Sequence, residues 1–343
     1  MTMFRLWDPG IINALTNAAI NRKVSVQVLV DDGNVKNSEL DQAYRTMKER
    51  LKATSNSRAM ECEDACHGDG QMHNKFLLVE DVKKTDAVPA SSYVVVTGTS
   101  NMSFDTIGGT GGYNSAFTQA ANQDLFLRYS QYFADLTRDE DDLNYYDSRP
   151  PATYGNVKAY FYPRDDGADP VLNTLREVTC SPLLPTHIRI QMWSMSRTGM
   201  ADELAKLGRE GCRIEIVANH MSRVNVGGDG ATRAGVCPRL AGQPNVSIRG
   251  YNNERGVHDK NLMIDGYYME KRTKAVWTGS QNYNYTSKNS NDENYVRILG
   301  DEEIHDQYAD HMSRTMAKAP FAVSAPAECV RIEPKDLNPA EPE

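Results

Sequence analysis

Short motifs recur along this chain in the same order, and that recurrence restricts the fold to two similar halves packed on each other. HNKFLLVE (73–80) returns as HDKNLMID (258–265), and VVVTGTSN (94–101) returns as VWTGSQN (276–282). NQDLFLRY (122–129) returns as NDENYVRI (291–298), each read as an acidic residue opening a strand. A long amphipathic helix follows in both halves, near 130–143 and 302–317. Upstream of each HxK, residues 10–30 lie over 199–219 as a helix and then an alternating strand. Gly10 falls on Gly199 and Leu15 on Leu204; after a one-residue insertion, Val24 falls on Ile214 and Val26 on Ile216. Such self-similarity means one structural unit built twice.

Strand and helix alternate within each half, which points to an α/β fold of two pseudo-symmetric sandwich halves with mixed β-sheets. The N-terminal half is placed at 1–150 and the C-terminal half at 151–318, joined through the Pro-rich segment YYDSRPPATYGNVK (145–158). Residues 319–343, ending in PAEPE, read as an extended tail. The second half opens on a strong strand, HIRIQMW (187–193), whose counterpart in the first half falls at the very start of the chain. The first strand is therefore expected to be missing, with further residues preceding Met1 in the natural gene. The alternative is that a short MTMF strand suffices.

A single HxK carries little weight in a chain with seven histidines and 38 lysines and arginines. Its weight comes from ordered recurrence with G-[ST]-x-N and an acidic residue. Residues i and i+2 of a strand share a face, so His73 projects with Lys75 and His258 with Lys260. An imidazole beside an ammonium is a poor metal site and a good receptor for a phosphate diester. The lysines can hold the non-bridging oxygens and the charge added in a pentacovalent transition state. Thr99, Ser280, Asn101 and Asn282 can bond the same oxygens. One histidine can attack phosphorus while the other protonates the leaving alkoxide; water activated by the second then cleaves the phosphohistidine. A carboxylate behind each imidazole would fix its tautomer, and Asp124 and Glu293 are the candidates. The chemistry calls for no metal and no cofactor.

Paired HxKxxxxD and GSxN motifs resemble those of the phospholipase D superfamily, over roughly residues 1–318. His258, Lys260, Asp265, Gly279, Ser280 and Asn282 match in full. His73, Lys75, Gly98, Thr99 and Asn101 match in the first copy, where Glu80 stands at the aspartate position and Asp81 follows it. The resemblance implies an αβα sandwich per half, with a pseudo-two-fold axis placing the two HxK strands side by side. It also implies His73 as nucleophile, His258 as general acid and base, and Glu80 and Asp265 as supports of the motif. The residues alone would permit the two histidines to exchange roles. Secreted actinobacterial members look similar in carrying cysteines just before the first HxK.

No apolar run approaches the roughly 18 residues needed to cross a bilayer. A net charge of −8 argues against a partner bound by neutralising many phosphates. The expected function is therefore a phosphodiesterase that hydrolyses or transfers a phosphatidyl group. A metal-independent nuclease of the same superfamily is the alternative, and a non-catalytic phosphate- or lipid-binding protein is a third reading. Retention of both histidines and both lysines argues against the third. Phospholipid is the expected partner, with peripheral contact to a membrane surface. Two half-sites in one chain remove the need for a dimer.

Six cysteines, an even number, suit three disulfides and an oxidising compartment, although the opening MTMFRLWDPG is no signal peptide. Secretion with the signal segment absent from this sequence is the expectation. Cys62 and Cys66 read as a disulfide in preference to a zinc set with His67 and His73. Cys212 with Cys237, and Cys180 with Cys329, are the other candidate pairs. The Gly-rich loop 107–122 reads either as a lid offering Tyr113 and Phe117 or as a surface loop. Trp193 and Met195 are expected in the core. His187, His220, His305 and His311 have no repeated context and are expected to be superficial or structural.

Overall fold

Alternating apolar residues build the strands, and apolar residues at every third or fourth position build the helices that cover them. The computed structural model describes residues 1–36, 41–103, 112–181, 183, 185–219, 230–251 and 256–330. The first half runs β1 (Thr2–Met3), α1 (Pro9–Ile20), β2 (Gln27–Asp31), α2 (Gln42–Leu51), β3 (Arg58–Cys62), β4 (Lys75–Val82), β5 (Ser91–Gly98), β6 (Ala116–Gln119) and α3 (Gln123–Leu136). After α4 (Tyr145–Ser148) come β7 (Ala152–Tyr154), β8 (Val157–Tyr162), α5 (Pro170–Arg176) and β9 (Val178–Thr179). The second copy of the unit follows: β10 (His187–Met192), α6 (Thr198–Arg209), β11 (Arg213–Asn219), α7 (Gly230–Leu240), β12 (Val246–Tyr251), β13 (Lys260–Tyr268), β14 (Lys271–Gly279), α8 (Tyr285–Asn289), β15 (Glu293–Leu299) and α9 (Glu302–Lys318). Then β16 (Phe321–Val323) closes the described sheet.

The first sheet has the order β3-β2-β1-β4-β5-β6, and the second contains β12-β11-β10-β13-β14-β15 in the same sense. β1 pairs parallel with β2 and antiparallel with β4, as β10 does with β11 and β13. The second sheet is extended by β16 beyond β12 and by β8 and β7 beyond β15, with β9 against β13. Helices α1 and α2 share a core with the first sheet, and α5, α6 and α7 share one with the second. The inner faces of both sheets meet through a central cluster that includes α3 and α9. Leu262, Met263 and Ile264 of β13 are all fully buried, as a strand covered on both faces must be.

Three details of the strands and helices depart from the sequence reading. Met3 pairs with Val30 and Met192 with Ala218, which makes Val26 the counterpart of Ile214; the expected alignment of Val24 with Ile214 is out by two residues. Val24 is exposed while Val28 and Val30 are buried. An alternating pattern is unchanged by a shift of two, so its periodicity could not set the register. NQDLFLRY is helical: the Asn122 side chain caps α3 by accepting from Leu125 N at 3.1 Å, and Leu125, Tyr129, Tyr132 and Leu136 form its buried face. The first strand is present but reduced to the two residues of β1, where β10 has six.

The disulfides are Cys62–Cys66, Cys180–Cys212 and Cys237–Cys329. The first pair is as expected and the other two replace Cys212–Cys237 and Cys180–Cys329. Cys212 opens onto β11 and lies near the end of β9, whereas Cys237 on α7 meets the segment after β16; neither proximity can be read from spacing.

Candidate active site

Each HxK sits at the entry to a central strand and is strapped to the opposite half. His73 N donates to Asp292 O at 3.0 Å, and His258 N donates to Tyr113 O at 2.9 Å. Isolated parallel bridges, Met72 with Asp292 and Tyr113 with Val257, complete the symmetry. The next residue in each strap turns back on the imidazole. Glu293 places Oε1 and Oε2 at 2.9 and 3.0 Å from His73 Nδ1, and Asn114 places Oδ1 at 2.9 Å from His258 Nδ1. Each histidine is thus oriented by a side chain from the other half.

The remaining parts are duplicated as well. Lys75 Nζ donates to His73 O and Lys260 Nζ to His258 O, both at 2.7 Å, and both lysines are buried. The Ser280 hydroxyl donates to the Glu293 carboxylate, and the Thr99 hydroxyl donates to Asn114 Oδ1 at 3.1 Å. Asn101 and Asn282, from the loops after β5 and β14, are buried beside them. Gly279, at φ +150°, brings its backbone so near Asn294 O that a Cβ would lie 2.3 Å away. Phe4 packs edge-on to His73 at 4.9 Å between ring centroids, and Trp193 tilts on His258 at 5.2 Å.

The middle residue of each HxK is tied to a helix of its own half. Asn74 Nδ2 donates to Tyr132 OH on α3 at 3.0 Å. Buried Asp259 accepts from Gln191 Nε2 at 2.6 Å and from Asn261 Nδ2 at 3.1 Å, and lies 2.9 Å from His311 Nε2 on α9. His311 therefore supports the second HxK from behind, a role its isolated context in the sequence did not suggest.

Burial dominates the electrostatics. It pushes His73 down to about 4, against the pull of the Glu293 charge and with the help of Lys75. Burial also raises Glu293, but His73, Lys75 and the Ser280 hydroxyl hold it below the ordinary carboxylate range. At neutral pH the pair is a carboxylate beside a neutral imidazole. A carboxylate only accepts, so the proton rests on Nδ1 and the lone pair on Nε2. Burial lowers His258 too, reinforced by Lys260, Lys75 and His73. Burial lifts Asp292 to about 8 even though the Cys66, His67 and Gly68 amides donate to it. This carboxyl joins the Cys62–Cys66 loop to the His73 strap.

An acid-stability profile follows from His73. Its ordinary value is 6.5, so between 6.5 and about 4 the unfolded chain takes up a proton that the folded chain refuses. The corresponding stability, about 3 kcal/mol, is present above pH 6.5 and is lost as pH falls towards 4. Melting temperatures of the wild type should drop across that interval, and His73→Gln should drop less steeply.

The structure brings His73 together with Lys75, Ser280 and Glu293, and gathers Lys260, Thr99 and Asn114 around His258, while Asn101 and Asn282 are buried in the loops after β5 and β14. It does not bring Asp124 there. Asp124 is exposed in the first turn of α3, and Asn114 occupies the position opposite Glu293. Glu80 is exposed on β4, and Asp265 is half-buried on β13 with Arg272 at 3.7 Å, so neither supports its HxK directly. Phe117 is buried in the central core rather than offered by a lid, while Tyr113 forms the strap to Val257; residues 107–111 of that loop lie outside those described. His220 also lies outside them. His187 pairs with Glu215 and His305 with Asp306. Asn114 stands just before β6, as Glu293 stands at the start of β15, and this equivalence appears only once the strands are placed.

Over residues 1–136 and 185–316 the chain matches the family described as "Cardiolipin synthase, PLD-like domain". It is similar in fold to phosphatidylserine synthase from Haemophilus influenzae Rd KW20, with 10% identity and a TM-score of 0.64 over 95% of this chain and 83% of that one. It is also similar in fold to polyphosphate kinase from Porphyromonas gingivalis, with 14% identity and a TM-score of 0.59 over 98% of this chain. The chain spans about half of that kinase, 48% of its length. No curated protein matches it in sequence.

Proposed function

We propose that this chain, which belongs to the PLD-like family, is a phosphodiesterase that hydrolyses a phospholipid, or transfers its phosphatidyl group to an alcohol, through a phosphohistidine on His73. The observation that carries this reading is the unequal equipment of two otherwise symmetric histidines: a carboxylate behind His73 and an amide behind His258. With Nδ1–H held by Glu293, the His73 Nε2 lone pair is free to form a bond to phosphorus. The P–O bond to the leaving group breaks, its electron pair goes to that oxygen, and His258 supplies the proton. Water or an alcohol then bonds to phosphorus and gives its proton to His258, and the P–N electron pair returns to Nε2. Lys75 and Lys260 supply the positive charge that meets the developing negative charge on the non-bridging oxygens.

The family description and the phosphatidylserine synthase fold both support a phosphatidyl group as the portion transferred. A net charge of −8 favours lipid over a polyanionic nucleic acid. The three disulfides suit an oxidising, extracellular setting and contact with a membrane surface from outside. The deciding experiment incubates wild type and His73→Ala, with EDTA, on phosphatidylcholine or phosphatidylglycerol vesicles and on single-stranded DNA. Lipid cleavage that survives EDTA and vanishes in the variant is expected. Faster cleavage of DNA than of lipid would overturn the substrate, and undiminished activity in His73→Ala would overturn the mechanism.

A further inference from the structure

The two halves of the site differ in the side chain that hydrogen-bonds each histidine Nδ1. Glu293 and Asn114 occupy matching places, each accepting from the G-[ST]-x-N hydroxyl of its own half, Ser280 or Thr99, and each facing the histidine Nδ1 of the other half. The orientation of the Asn114 amide is settled by its own bonds. Nδ2 donates to Gly112 O at 3.1 Å, and Oδ1 takes the Thr99 hydroxyl, which leaves Oδ1 as the atom facing His258. An amide oxygen orients an Nδ1–H as a carboxylate does, and it lacks the negative charge that stabilises an imidazolium.

We infer that Asn114 is a positioning residue that makes His258 the weaker base of the pair, so that the phosphohistidine on His73 forms faster than it is broken down. The surroundings of His258 reinforce this. Lys260, from the same strand entry, places Nζ at 3.3 and 3.4 Å from the two ring nitrogens. Lys260 and then Lys75, from the β4 entry, bear most on the ring and disfavour a further positive charge, as does His73 when it is protonated. Trp193, from the end of β10, offers only an aromatic edge or face, and the Thr99 backbone adds a weak opposing hydrogen bond. The buried carboxylates of the two straps and motifs are bonded elsewhere: Asp259 to Gln191, Asn261 and His311, and Glu293 to His73 and Ser280.

The consequence falls differently on the two steps. In the first, His258, carrying the proton it took from the attacking water of the preceding turnover, gives that proton to the leaving oxygen, and a poorly stabilised imidazolium does so readily. In the second, His258 must accept the proton of the attacking water as the P–N bond breaks, and a weak base does so slowly. This rests on the proposed phosphodiesterase reading for its kinetics but not for its titration.

The test therefore has two arms. NMR titration of histidine-labelled protein, with His258→Ala used to assign the resonance, needs no substrate. Asn114→Asp should raise the proton affinity of His258 roughly tenfold or more, while Asn114→Ala should not raise it. An unchanged His258 titration in Asn114→Asp overturns the inference, whatever its effect on stability. In the second arm, wild type mixed with a p-nitrophenyl phosphodiester should release a rapid burst of nitrophenol before a slow steady rate. The burst should shrink and the alkaline limb of kcat/KM should move up in Asn114→Asp. A steady wild-type rate with no burst overturns the kinetic claim. Failure of wild type to turn over any phosphodiester would instead remove the proposed function and leave the titration standing.

Discussion

Removing either imidazole is expected to lower phospholipid turnover by about 10⁴-fold or more, yet the two variants should fail at different steps. His73→Ala has lost the atom that bonds to phosphorus, so no leaving group should rescue it. His258→Ala keeps Glu293 behind His73, with Nε2 still carrying the lone pair. A substrate whose leaving group needs no proton, such as a p-nitrophenyl ester, should therefore still phosphorylate His73 once and then stall. Stopped-flow release of nitrophenolate separates the two: one equivalent from His258→Ala and none from His73→Ala. Equal loss with both substrates would mean that the histidines act as a single interchangeable unit.

Glu293→Gln is the second large effect. Its carboxylate holds His73 Nδ1–H, accepts the Ser280 hydroxyl and is a main opposite charge beside buried Lys75. A glutamine amide can present N–H to Nδ1 and so move the ring proton to Nε2, the nitrogen that must attack. A fall in kcat of up to about 10⁴-fold is expected, the loss seen when a carboxylate that fixes an active-site tautomer is replaced by its amide. Lys75, already pushed down by burial, would lose the carboxylate that favours its charge, so the folded state should also lose about 3 kcal/mol. A melting curve and a kcat measurement on the same preparation test both. A variant with unchanged kcat would show that the Glu293 contact does not orient the nucleophile.

Most of the architecture was legible because duplication is hard to produce by chance. The HxK and G-[ST]-x-N motifs mark the starts of β4 and β13 and the ends of β5 and β14, and they bracket the site without any knowledge of the fold. Two kinds of information were not legible. Strand register was lost to the two-residue periodicity that reveals a strand, as the displacement of Val24 and Val26 shows. Contacts between halves were also lost, because nothing local marks Asn114 as the residue that meets His258 or His311 as the residue behind Asp259. Asp124 matches Glu293 in the order of motifs, yet it is exposed on α3, and an amide rather than a carboxylate faces His258. At this site the halves share geometry and differ in charge, and on that difference rests the proposed division between nucleophile and proton carrier.

That division of labour can be read directly from where phosphorus becomes attached. Wild type and His258→Ala would be mixed with substrate, quenched in alkali to preserve phosphohistidine, digested, and mapped by mass spectrometry. The adduct should lie on His73 in both proteins and accumulate in His258→Ala. An adduct on His258, or turnover with no phosphohistidine formed in either protein, would contradict the assignment of His73 as the nucleophile.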